Sequence, residues 1–262
     1  MHVDAYLRRI GLQAMPAADL TGLRALHLAH ATSIPFENLD IQMGLPIRLD
    51  LDSLQDKLVR RRRGGYCFEQ NTLFLAALKA AGFEAIPCEA RVRLGASAVL
   101  ARTHMLILVE MEGGPWLCDV GFGGEGLLQP LPLDGQAHVQ FQNTYRVVPE
   151  GPLRVLQSLR SEGWEDLYAF MPEARFPIDF EMANHYTSTH PESRFIRTLT
   201  AQLPGPDVRR ILRNRAYAEI RGTEVSGREL APEEVIPVLR GTFGLEVPED
   251  ARFRAFEADQ AG

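Results

Sequence analysis

A change of hydrophobic period at Glu84 constrains this chain more than any other feature. Before it, apolar residues recur at helical spacing. Asp19 stands ahead of Leu20, Leu23 and Leu26 as a helix N-cap, and Ser53, with Asp56 three residues on, reads as the start of a helix carrying Leu54 and Leu58. A third helix-like run, Asn71, Phe74, Leu75 and Leu78, follows Cys67. After Glu84 the period is two. Cys88 to Leu94, Met105 to Met111, Trp116 to Val120, Phe141 to Val148, Leu153 to Leu159 and Asp166 to Phe170 read as strands separated by Gly, Pro and Asp turns. Strands in such succession predict a small antiparallel sheet or barrel.

The Pro-rich passage Met171-Pro172 to Phe176-Pro177 marks a boundary, followed by a short helix over Asp179 to Tyr186. Phe195 to Leu203 and Val208 to Ile220 are again strand-like. A last helix runs from Pro232, suited to a first helical turn, to Arg240 before Gly241. The expected fold class is α+β in three parts: a helical domain over 1–83, a β-barrel-like domain over 84–177 and an α/β lid domain over 178–262.

Composition narrows the partners. At 262 residues and 45% hydrophobic content the chain can bury a sizeable core, and a net charge of −6 argues against nucleic acid, whose phosphates call for a basic surface. The run Arg60 to Arg63 reads as the cationic end of a helix in preference to a phosphate site. No stretch approaches the ~18 apolar residues of a membrane span, and Met1-His2-Val3-Asp4 does not resemble a secretory signal. A cytoplasmic protein without membrane or nucleic-acid partners is expected. Its three cysteines, Cys67, Cys88 and Cys118, are odd in number and lack Cys-x-x-Cys spacing, so neither a disulfide framework nor a zinc site is indicated. Cys88 and Cys118, in apolar strand-like surroundings, read as small buried hydrophobes.

Cys67 differs from them. In Arg63-Gly64-Gly65-Tyr66-Cys67-Phe68-Glu69 two glycines precede it and a helical run follows, which places its thiol at a helix N-terminus. Unpaired N–H groups and the positive end of the helix dipole stabilise an anion there, the setting in which cysteines become reactive. A nucleophile needs a base and a group to orient the base. His104 opens the strand-like Thr103-His104-Met105-Leu106-Ile107-Leu108-Val109, and Asp119 closes Trp116-Leu117-Cys118-Asp119. A carboxylate among apolar strand residues is costly unless paired, and an imidazole N–H suits it. Cys67, His104 and Asp119 thus form a candidate catalytic triad. Read singly, His104 suits a satisfied strand-edge histidine, and Asp119 a cap for the Gly121-Phe122-Gly123-Gly124 turn. The Arg-Gly-Gly lead-in favours a helix-end thiolate over a zinc site built from the same three residues.

These segments resemble the arylamine N-acetyltransferases. The resemblance rests on Arg63 to Glu69, Thr103-His104-Met105 and Asp119-Val120-Gly121-Phe122-Gly123 in that order and spacing. It is extended by Ile34-Pro35-Phe36-Glu37-Asn38-Leu39, by Asn184-His185-Tyr186-Thr187-Ser188-Thr189-His190-Pro191 and by Ser193-Arg194-Phe195. It implies that acetyl-CoA donates an acetyl group to Cys67, with no metal, and that an aromatic amine or hydrazine, or an N-hydroxyarylamine, accepts it. It further implies that Phe122 and Phe195 line the acceptor pocket, that Gly123 and Gly124 sit beside coenzyme A, and that Glu37 and Arg63 form a structural ion pair. Without the resemblance, both phenylalanines suit ordinary core positions and the glycines a hairpin turn. His27, His30, His185 and His190 read as structural. An amide synthase releasing a polyketide chain, and a thiol hydrolase or transglutaminase-like enzyme, are alternatives that would keep the same three residues.

Overall fold

Helices form where the apolar spacing is helical. The computed structural model describes residues 1–257. Helix α1 (Val3–Ile10) buries Tyr6, Leu7 and Ile10 and stops at Gly11, whose φ of 78° is left-handed. Helix α2 (Leu20–Ser33) starts from Asp19, whose carboxylate accepts the Gly22 N–H at 2.8 Å, and buries Leu23 and Leu26 beside His27 and His30. A two-residue strand β1 (Phe36–Glu37) and a single turn α3 (Leu39–Gln42) lead to α4 (Leu51–Leu54), which runs on through a wide π-helical turn over Gln55–Arg60. The cap of α4 is Asp50, not Ser53. The Asp50 carboxylate accepts the Ser53 N–H at 2.9 Å, so Ser53 donates within the first turn instead of starting it. Arg62, at φ 46°, then leaves Arg60 and Arg61 exposed and sends Arg63 inward. The arginine run is therefore a cationic helix end only up to its last member, which is a core residue. Helix α5 (Cys67–Ala80) completes this part.

Strands β2 (Ala85–Val92), β3 (His104–Met111), β4 (Gly114–Cys118), β5 (Leu131–Pro132), β6 (His138–Gln140), β7 (Asn143–Glu150), β8 (Leu153–Arg160) and β9 (Gly163–Phe170) follow. They form one antiparallel sheet in the order β5-β4-β3-β2-β9-β8-β7-β6, and β5 lies against β7, so the sheet curls nearly into a barrel. Both faces of β3 are covered. Leu106 and Leu108 pack with Leu117, Tyr145 and Leu156 inside the curl, whereas Ile107 and Val109 pack with Leu23, Leu73 and Phe74 of the helices. Burial of each such side chain contributes about 1.5–3 kcal/mol. Register places the candidate residues: Ala90 faces His104 at the start of β3, and Ile107 faces Cys118, the residue before Asp119.

The remainder comprises α6 (Pro177–Thr189), α7 (Arg194–Arg197), β10 (Thr200–Leu203), β11 (Arg209–Arg213), β12 (Ala216–Arg221), β13 (Glu224–Glu229), α8 (Val235–Gly241) and α9 (Arg254–Glu257). Phe195 to Leu203 is not one strand. The Ser193 hydroxyl accepts the Phe195 N–H at 3.3 Å and starts α7, while Asn38 donates to the Phe195 and Thr198 carbonyls at 2.8 Å each and holds that turn in place. Val208 to Ile220 is a hairpin, turned at Asn214 with φ 51°. The second sheet has the order β1-β10-β11-β12-β13, with Phe36 opposite Gln202, so the helical region supplies its edge strand. The fold is α+β, and none of the described helices is long and apolar enough to cross a membrane.

Candidate active site

The segment before α5 is held by a buried chain of charges. Arg63 Nε donates to Glu37 Oε1 at 3.0 Å, and its Nη2 lies 2.9 Å from Asp40 Oδ1. Lys57 Nζ is 2.7 Å from both Asp40 Oδ2 and Glu69 Oε1, and Glu69 Oε2 accepts the Tyr66 N–H at 3.1 Å. The pair implied by the sequence is thus one part of a five-member network that ends on the α5 N-cap. Burial favours the neutral form of Glu69 and lifts its carboxyl to about 7 against the attraction of Lys57. A side chain at Gly64 would begin 2.0 Å from the Pro35 carbonyl oxygen, so only glycine lets this strap approach β1. Arg63 is 1% exposed. Arg63→Met should therefore cost about 3–5 kcal/mol, because it leaves Glu37 and Asp40 short of a cation in a dry site. Urea unfolding measures this; a loss below about 1 kcal/mol, the size of a surface ion pair, would contradict the structural role given to the network.

The strap delivers Cys67 as the first residue of α5, buried to 3% exposure, with Sγ 3.7 Å from the Thr103 carbonyl oxygen. His104 follows Thr103 at the start of β3, and its Nε2 is 2.7 Å from Asp119 Oδ2. With Nε2 committed to Asp119, Nδ1 is the nitrogen left to exchange a proton. Burial works against a charged His104, but Asp119 and then Cys67 overcome it and push the imidazole up to about 10. Burial would likewise raise Asp119, yet His104 and the bonds from Asn71 Nδ2 and the Gly121 N–H, both 2.9 Å to Oδ1, hold it below the usual carboxylate range. The other two thiols are suppressed: burial pushes Cys88 up to about 12, and burial with the Asp119 charge raises Cys118.

Three supporting residues carry no sharp motif. Asn71 lies one turn after Cys67 on the same helix face. Its Nδ2 also donates to the Met105 carbonyl at 2.7 Å, and its Oδ1 accepts the Val120 N–H at 3.1 Å, which ties α5 to the Asp119 loop. The spacing of four from Cys67 could have flagged it. His27, read as structural, accepts the Asp119 N–H at 3.1 Å, and burial lowers its imidazole to about 4, so it stays neutral. Tyr168 packs its ring against His104, centroids 4.9 Å apart. It sits in an ordinary strand alternation, and nothing in the sequence separates it from core. Gly121 is a close-approach position, since a Cβ there would fall 2.8 Å from Cys67 Cα.

Cys67 and His104 open into a cavity of about 350 Å³, within the ~300–1,000 Å³ typical of small-molecule sites. Phe122 and Phe195 line it, and Phe122 meets His104 edge-on at 5.1 Å. Asp119 stands behind His104, fully buried. Gly123 and Gly124, expected beside coenzyme A, do not line this cavity. They are buried against Gln202, whose Oε1 a Cβ would meet at 2.6 and 2.9 Å. His185 is exposed, and His190 stacks on Tyr186 at 4.5 Å, both away from the cavity. Among the described residues no group of three or more His, Cys, Asp and Glu is arranged to hold a metal ion.

The chain as a whole is similar to known proteins. An N-acetyltransferase family model matches residues 19–252. The chain is 38% identical over 255 residues to the arylamine N-acetyltransferase of Mycolicibacterium smegmatis, covering 94% of this chain and 93% of the relative. The chain belongs to the arylamine N-acetyltransferase family. As a member of it, the protein is an acyltransferase. A Salmonella typhimurium relative, arylamine N-acetyltransferase / N-hydroxyarylamine O-acetyltransferase, is 41% identical over 195 residues, 74% of this chain and 69% of the relative. The solved M. smegmatis arylamine N-acetyltransferase superposes with a TM-score of 0.92 at 36% identity over 98% of each chain. The Mycobacterium marinum arylamine N-acetyltransferase, solved in complex with CoA, superposes with a TM-score of 0.87 at 35% identity, over 93% of this chain and 92% of that one.

Proposed function

We propose that the protein moves an acetyl group from acetyl-CoA to arylamines and arylhydrazines, and to N-hydroxyarylamines, by a ping-pong route through acetylated Cys67. The observation that carries this is one cavity holding the Cys67 thiol and the His104 imidazole, with a buried Asp119 behind the latter. His104 takes the thiol proton, and the Asp119 carboxylate favours the imidazolium so formed. The thiolate attacks the thioester carbonyl carbon, the first-turn amides of α5 offer donors to the developing oxyanion, and the carbon–sulfur bond to coenzyme A breaks as the leaving sulfur takes the proton back. The amine then attacks acetyl-Cys67. His104 accepts the proton of the attacking nitrogen, and the cysteine sulfur departs as thiolate. The CoA complex of the M. marinum relative supports the donor, and the name of the Salmonella relative supports the N-hydroxyarylamine branch. In this reading residues 1–83 carry the nucleophile, 84–177 carry its partners and 178–262 act as a lid. The enzyme works in the cytoplasm, where its thiols stay reduced.

Discharge of the acetylated enzyme distinguishes acceptors. Alkylamines, with a basicity like that of lysine at ~10.4, are largely protonated near neutral pH, whereas an aniline nitrogen keeps its lone pair. Phe122 and Phe195 add aromatic contacts worth about 0.5–1.5 kcal/mol beyond area burial. Single-turnover decay of acetyl-Cys67 should be much faster with anilines and arylhydrazines than with alkylamines of equal size. Decay fastest with water, or tracking amine basicity alone, would replace this reading with hydrolysis or amide synthesis.

A further inference from the structure

Phe195 is held by side chains that lie far from it in the chain. It is the second residue of α7, which is a single turn. Within that turn the Ser193 carbonyl accepts the Ile196 and Arg197 N–H groups at 3.0 and 3.3 Å, and the Arg194 carbonyl accepts the Thr198 N–H at 2.9 Å. The Phe195 and Ile196 carbonyls are left over, as the last carbonyls of any helix are. Two amides of the helical region take them. Asn38 Nδ2 donates to the Phe195 and Thr198 carbonyls at 2.8 Å each, and Gln42 Nε2 donates to the Phe195 and Ile196 carbonyls at 2.8 and 3.0 Å. The Phe195 carbonyl thus accepts twice, once for each lone pair. Both amides are 1% exposed, and their oxygens are engaged as well. Asn38 Oδ1 accepts the Thr200 N–H at 2.8 Å, and Gln42 Oε1 accepts the Ala255 N–H at 2.9 Å. An amide whose oxygen meets a backbone N–H must turn its NH₂ the other way, here to α7.

We propose that Asn38 and Gln42 are positioning residues for the acceptor: by clamping the Phe195 carbonyl they set the Phe195 ring in the cavity, and with it the preference for an aromatic over an aliphatic nucleophile. The inference rests on the acetyl-transfer reading above. One turn of helix does not hold its own shape in water, because fixing it costs more than its few hydrogen bonds return, so α7 takes its conformation from what grips it. The Phe195 ring is half-buried. It lines the Cys67 cavity, meets Tyr66 edge-on at 5.4 Å and lies 6.0 Å from Phe36. Ring contacts of this kind tolerate a range of offsets, whereas two hydrogen bonds to one carbonyl fix the backbone that carries the ring. Asn38 also follows Glu37, which grips the strap before Cys67 by accepting from Arg63 Nε at 3.0 Å and the Gly64 N–H at 3.2 Å. Adjacent residues therefore set the nucleophile and the ring against which the acceptor packs.

The test compares phenylhydrazine with methylhydrazine, which present the same nucleophilic group with and without a ring. The acceptors are given to wild type, Gln42→Met, Asn38→Ala, Phe195→Ala and each clamp variant combined with Phe195→Ala. Both acceptors meet the same acetylated enzyme, so a change in the donor step cancels in the ratio of their kcat/KM values. Gln42→Met keeps the bulk of the side chain and removes the amide. Each clamp variant should lower the ratio of phenylhydrazine over methylhydrazine by about threefold to tenfold, the worth of an aromatic contact. In the Phe195→Ala background the same substitutions should lower it no further, because the ring through which they act is gone. Asn38 also holds the Thr200 N–H, so Gln42→Met decides alone if thermal unfolding shows Asn38→Ala unfolded. An unchanged ratio in folded Gln42→Met overturns the proposal. So does an equal fall with and without Phe195, which would make the amides general supports of the fold. A wild type that acetylates neither hydrazine would remove the acetyl-transfer reading itself, and this inference with it.

Discussion

Cys67→Ala should give a folded protein with no measurable acetyl transfer. The side chain is small and lies at the first position of α5, where alanine fits, so the stability change should stay near 1 kcal/mol. No other group can take over. Cys88 and Cys118 are fully buried in strands, with their thiols held protonated by burial, and neither lines the cavity. His104 and Asp119 remain in place in the variant, so an activity that survived would have to pass the acetyl group directly from thioester to amine. Turnover of an arylamine, with thermal unfolding on the same preparation, measures both parts. Appreciable turnover in the folded variant would contradict the covalent route.

Asp119→Asn should reduce turnover by about 10⁴, the size seen when a serine-based triad loses its carboxylate, while leaving most of the stability. The structure fixes the reason. Asp119 Oδ1 accepts from both Asn71 Nδ2 and the Gly121 N–H, so an asparagine must turn its carbonyl oxygen to those donors and its NH₂ to His104. Nε2 of His104 then accepts, and the ring proton moves to Nδ1, where a base is needed. The carboxylate that outweighed burial is also gone, so the imidazole should fall from about 10 to below its ordinary 6.5. The linkage has a definite sign. A folded-state value raised to about 10 means that the contribution of His104 to stability is complete below about 6.5 and is lost as pH rises through about 10. Asp119→Asn should remove that alkaline loss. Imidazole titration by NMR and unfolding across pH follow both effects; near-normal turnover in the folded variant would demote Asp119 to a turn residue.

The sequence spoke most clearly where the physics is local. Strands β2, β3, β4, β7, β8 and β9 were legible because each carries apolar residues that turn at least one face to the core, and Asp19 marked α2 because a cap is a contact within one turn. Strand β13 was hidden because all six of its residues are exposed and only Val225 is apolar, so no alternation reports it. The two-residue strands β1 and β5 are too short to show a period. Ser53 misled because an N-cap and a first-turn donor look alike in sequence, and only the Asp50 contact separates them. The candidate triad was legible through glycines, spacing and resemblance. The groups that hold it were not, because Asn71, His27 and Lys57 act through contacts 12 to 92 residues away in the chain.

The proposed route requires the acetyl group to rest on Cys67 between donor and acceptor. Intact mass of the wild-type protein mixed with acetyl-CoA tests it most directly, with peptide mapping and a chase of arylamine. The expected result is a gain of one acetyl group, mapped to Cys67 and absent from Cys67→Ala, that disappears as acetylated arylamine forms. A protein that turns over while no acetyl-Cys67 can be trapped, or an adduct that the arylamine does not discharge, would contradict it.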